Sequence, residues 1–207
     1  MKRSGCLAII LFMAATWFAI SLVEEWEAVT VGNQQTKAIA RLNANPDEVL
    51  AEIQTLVDAH AYHAALAETD KYKNYSNQNL QALRNQIQEQ LLLEEMKDIP
   101  VSHVGERLAA YEQLTRFAPN NHEYRADLDR CQQTLDRALK AVLNEQKIIA
   151  AEWQDQTLMT AVTPYKGSHD GFAQYLCGVL ADHGITGANV AIKDKEGKQL
   201  GFASCPQ

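Results

Sequence analysis

From Asn45 to Trp153 the apolar residues recur at steps of three and four, the spacing that lines one face of an α-helix. Asn45-Pro46-Asp47-Glu48 opens the first such stretch with a capping side chain, a proline at the first helical position and acids that oppose the helix dipole. Val49 or Leu50, Ile53, Leu56 and Val57 form its stripe, which ends near His60. A second helix runs through Tyr62, Ala65, Leu66, Thr69 and Tyr72 and closes in the polar cluster Asn74 to Asn77, so the two are expected to make a hairpin.

A third helix, Gln78 to Lys97, carries Leu80, Leu83, Ile87 and Leu91, with Leu92, Met96 and Ile99 widening the face. Pro100 stops it, and Ser102 is the expected cap of a fourth helix with Val104, Leu108, Tyr111 and Leu114. After Pro119-Asn120-Asn121 a long fifth stripe takes in Tyr124, Leu128, Cys131, Leu135, Leu139 and Val142 and reaches as far as Trp153.

The pattern changes in the last quarter of the chain. Only Gly105 falls between Asn33 and Lys166, whereas the 41 residues from Gly167 to Gln207 hold seven glycines. Glycine gives up the most backbone freedom on ordering and is kept out of helix interiors, so a helical middle and a mixed tail are expected. SHDGFAQYLCGVLADHG reads as one helix with Phe172, Leu176, Val179 and Leu180 apolar and Gly184 at its left-handed end. Ala188 to Lys193 and Lys198 to Ser204 alternate as strands around Asp194-Lys195-Glu196-Gly197, a hairpin, and Thr157 to Thr163 reads as a further strand.

Two resemblances follow from these elements. Tyr111, Leu114 and Pro119-Asn120-Asn121 resemble the second helix and closing turn of a tetratricopeptide repeat, and Tyr62 with Ala65 resembles the equivalent helix one unit earlier. Arg107 stands where that family has a small residue, and the Trp and Leu-Gly signature of the first helix is absent. The resemblance covers residues 46–145 and implies helix pairs stacked into a curved superhelix with a concave peptide-binding face. Tyr175-Leu176-Cys177 and Gly201 to Cys205 resemble segments of uncharacterised bacterial exported domains, a likeness that implies no activity.

The expected organisation is therefore an N-terminal membrane segment (1–29), a linker (30–45), a tetratricopeptide-like helical domain (46–153) and a small α+β domain of helix plus hairpin (154–207). The fold class is mostly α. MKRSGCLAIILFMAATWFAISLVEEWE places two cations before 17 uncharged residues, Leu7 to Val23, and three glutamates after them. As a helix, Cys6 to Trp26 is about 31 Å long, against a hydrocarbon core of roughly 30 Å. Lys2 and Arg3 favour the cytoplasmic side, so the rest of the chain is expected in the periplasm of a bacterium with this helix as a single-pass inner-membrane anchor. Ala19-Ile20-Ser21 leaves a cleaved signal peptide open as the other reading.

Charge narrows the partners. The net charge of the 207 residues is −7, and beyond residue 23 there are 17 basic against 26 acidic side chains. That balance repels phosphate backbones, so nucleic acid is excluded as a partner class.

The candidate chemistry is sparse. Export favours disulfides, and bridging Cys177 to Cys205 closes a loop of about 29 residues across a tail too small to be secure alone. His169, Asp170, Cys177, Asp182 and His183 share one helix, but at 100° per residue His169 lies about 80° and His183 about 240° from Cys177, so they do not converge. His60 and His63 flank a turn on a polar surface, and Cys131 sits on an apolar stripe as a buried thiol. No G-x-S-x-G, P-loop, dinucleotide glycine pattern, H-E-x-x-H or C-x-x-C occurs.

No catalytic, metal or cofactor site is expected. The function expected is that of a membrane-anchored periplasmic scaffold or assembly factor that binds another protein, with Tyr62, Tyr72, Tyr75 and Tyr124 as candidate contacts. The alternative is an exported cysteine-dependent enzyme or redox protein centred on Cys177, and self-association is a further expectation.

Overall fold

The computed structural model describes residues 35–163 and 165–206. The membrane segment expected from the sequence lies outside these residues, and no helix among the described residues is long and apolar enough to cross a membrane. The expected fold class is thus corrected: no spanning helix is found among the described residues. A second correction concerns the tail, where a four-stranded sheet replaces the expected hairpin.

The chain divides into two compact units, with the division between Ile87 and Gln88, inside a helix. In the first unit, residues 35–44 form α1, followed by α2 (Pro46–Asp58), α3 (Tyr62–Asp70) and the start of α4 (Gln78–Glu95). Asn45 precedes α2 without a side-chain cap hydrogen bond, and Pro46 supplies the first-turn geometry instead. The α2–α3 turn is closed by His60 at φ 57, with His60 N donating to Val57 O and Ala61 N to Leu56 O. This is the double hydrogen bond of a left-handed helix terminus, made here without glycine. Leu42, Val49, Ile53, Tyr62, Ala65, Tyr72, Leu80 and Ile87 are buried in this unit.

In the second unit α4 runs into a 3₁₀ turn, Met96–Asp98, and α5 (Val104–Phe117) pairs with α6 (His122–Leu143). Asn121 caps α6, its Oδ1 accepting from Glu123 N at 3.0 Å and Tyr124 N at 3.4 Å. Four strands follow: β1 (Ile148–Gln154), β2 (Thr157–Val162), β3 (Asn189–Lys193) and β4 (Gln199–Ser204), in spatial order β1-β2-β3-β4. β1 and β2 are antiparallel, β2 and β3 parallel, β3 and β4 antiparallel. Parallel neighbours need a long crossover, which α7 (His169–Asp182) provides.

The fifth stripe therefore does not run to Trp153. Helix α6 stops at Leu143, residues 144–147 turn, and the β-branched pair Ile148-Ile149 begins an extended run. Trp153 still meets the stripe, because β1 folds back and its indole Nε1 donates to Leu135 O at 3.4 Å. Leu158, Val162, Val190, Ile192 and Ala203 from the sheet pack with Ala173, Leu176, Cys177 and Leu180 of α7 and with Leu135, Ala138 and Val142 of α6. The tail and the last two helices thus share one core.

Candidate functional site

In the second unit a groove of about 580 Å³ opens between the end of α4, the 3₁₀ turn, α5 and α6. Its apolar lining comes from Leu93, Met96, Ile99, Pro100, Val101, Tyr111 and Tyr124, and its charged lining from Lys97, Asp98, Arg107, Glu123 and Asp127. The sequence builds it at Pro100. The proline ends the third stripe, Ile99 turns to extended angles (φ −84, ψ 115), and Val101 is left 81% exposed at the lip.

Arg107 holds the floor. Its Nη1 donates to the carbonyl freed at Ile99 and its Nη2 to the Tyr111 hydroxyl, each at 3.1 Å. Tyr111 is buried beside Met96, Ala110 and Leu114, and that burial raises its phenol pKa, with Arg107 pulling the other way. Tyr124 closes one wall, its hydroxyl donating to Glu89 Oε1 at 2.7 Å. Burial, reinforced by Glu89, pushes its pKa up to about 12, so the phenol is neutral at any physiological pH. The result is a groove walled by two hydrogen-bonded tyrosines, with charged residues of both signs around it.

The four candidate tyrosines are spread over both units. Tyr62 and Tyr72 are buried in the core of the first unit, and the hydroxyl of Tyr62 lies 2.7 Å from His60 Nδ1. Tyr75 is half-buried and donates to Asn43 Oδ1. Tyr124 alone of the four lines the groove.

Cys177 and Cys205 are bonded, S–S 2.14 Å, and both are buried. Three polar residues of α7 and its end are used elsewhere: the His169 ring lies tilted against Tyr165 at 4.5 Å, Asp170 accepts from Phe202 N at 2.9 Å and His183 ends the helix. Cys131 is half-buried between the two clusters of the unit, and burial raises its thiol pKa. Among the described residues no group of three or more His, Cys, Asp or Glu side chains is placed to hold a metal ion.

Arg107, Met96 and Val101 are the site residues that sequence reasoning passed over. Arg107 did leave a signal, as the large charged residue standing where the repeat pattern has a small one. Comparison with protein families, with curated proteins and with solved structures yields no match.

Proposed function

We propose that this chain is an exported, non-catalytic interaction module that binds another protein through the groove on α4, α5 and α6. The observation that carries the reading is the groove itself: an exposed apolar lip at Val101, a rigid aromatic wall at Tyr111 and Tyr124, and a guanidinium fixed on the floor. Such a mixture of apolar anchor space and fixed polar groups suits a protruding side chain of a partner. The tetratricopeptide likeness of residues 46–145 supports a binding role, and the apolar N-terminal segment together with the buried disulfide supports an export compartment.

The test is site-specific photocrosslinking in cells. A benzophenone side chain at position 101 is expected to capture a discrete protein that the same group at exposed position 129 on α6 does not. In a chain without the crosslinker, Val101→Asp is expected to lower co-purification of that protein at least about tenfold. Equal capture from both positions, or none from 101, rejects the groove as the binding surface.

A further inference from the structure

The two edges of the sheet are treated differently. At β4 the outward N–H of Phe202 donates to the Asp170 carboxylate at 2.9 Å, and the start of α7 is pressed so close that a Cβ on Gly201 would lie 2.5 Å from the carbonyl carbon of His169. That edge is covered at Gly201 and Phe202. At β1 the only backbone–backbone hydrogen bond among the described residues beyond the pairing with β2 is the turn from Ile148 N to Glu145 O. No described group pairs with the outer side of residues 150–154, where alternate residues turn both N–H and C=O away from β2. A bulge at Ile149 protects only the first part of the strand, and Ile149 itself is 56% exposed.

An unpaired row of backbone donors and acceptors specifies its occupant, namely another extended backbone. The side chains along the edge narrow the choice. Glu152 is the only charged residue of β1; its carboxylate accepts from Gln154 Nε2 at 2.8 Å and forms no ion pair with any described residue. On the same face of the sheet an open cavity of about 280 Å³ is lined by Ala150, Met159 and Ala161 near β1 and by Lys193, Asp194 and Lys195 on its far side. Two residues apart along an added strand, a cation facing Glu152 and an apolar side chain reaching over Ala150 toward Met159 match these features, and the chain's net charge of −7 favours a basic partner.

We propose that the free edge of β1 binds an extended, basic segment of a partner protein by strand addition, with the partner backbone pairing along residues 150–154, a cationic side chain opposite Glu152 and an apolar one beside Ala150. This surface is distinct from the groove, and neither assignment depends on the other.

The test uses the full chain with its disulfide intact and a short acetylated peptide of alternating valine and lysine. Amide exchange is expected to slow along β1 on peptide addition, with β2 and β3 unchanged as an internal check that the sheet is intact. Replacing lysine by glutamate in the peptide is expected to weaken binding about threefold or more, and Glu152→Lys to reverse that preference. No protection of β1 at millimolar peptide, protection elsewhere instead, or binding indifferent to the charge at position 152 overturns the proposal. Protection of β1 that grows with protein concentration in the absence of peptide assigns the edge to a second copy and also overturns it.

Discussion

Gly184 and Gly187 occupy the same left-handed region, at φ +78 and +66, but only one has a neighbour. A Cβ on Gly184 meets nothing within 4 Å, whereas one on Gly187 would lie 2.6 Å from Nε2 of the buried His103 ring. Gly184→Ala is therefore expected to cost about 1–2 kcal/mol, the backbone penalty alone, and Gly187→Ala clearly more, as read from denaturant midpoints. Tyr124 gives a second residue-scale prediction. Its folded pKa of about 12 lies above the ordinary phenol value of about 10, so the folded state holds this proton more tightly than the unfolded chain. That contribution is complete below about pH 10 and is lost as pH rises through 12, so wild type is expected to lose stability over this window more steeply than Tyr124→Phe in alkaline denaturation curves. Gly184 was legible as a helix end from its place after the apolar run. Gly187 was not, because its restriction comes from a histidine 84 positions earlier in the chain.

At the scale of elements, the disulfide joins the middle of α7 to the residue just past β4, a separation of 28 residues. Opening it by Cys205→Ser frees a loop of that length in the unfolded chain and is expected to cost about 3.6 kcal/mol in the chain-entropy account, measured as a lowered guanidinium midpoint. Helices α2 to α7 were legible because their apolar stripes recur at helical steps and several of their ends are marked, by Pro46, Asn77, Pro119-Asn120-Asn121 and Gly184. β1 was not. Ile148, Ala151 and Trp153 can be joined to the stripe of Leu135 and Leu139 at helical steps, and only Asn144 and the two consecutive β-branched residues hint at a turn. Ser102 also misled: it precedes a helix, yet His103 is the cap residue and the Ser102 hydroxyl accepts from Thr186 Oγ1 at 2.7 Å. A hydroxyl next to a helix start has two uses, and the sequence does not choose between them.

Over the whole molecule, the disulfide and the sheet core belong to the unit from Gln88 onward. Reduction is expected to raise amide exchange in α7, β3 and β4 and to leave α2 and α3 unchanged, a contrast that hydrogen-exchange mass spectrometry reads directly. Uniform loss of protection along the chain would show instead that the two units unfold as one.

Local pattern by itself determined the helices, the turn chemistry at Gly184 and Gly197, the pairing of β3 with β4 and the acidic balance, since each depends on neighbours within a few positions. The tertiary structure alone decided that β2 lies parallel to β3 across α7, that α5 and α6 share a core with the tail, and that Arg107 meets the carbonyl of Ile99 under an exposed Val101. It also decided which sheet edge is covered. The physical reason is common to all of these: an apolar stripe states that a face must be hidden but not by what, and a backbone group states that it needs a partner but not which one.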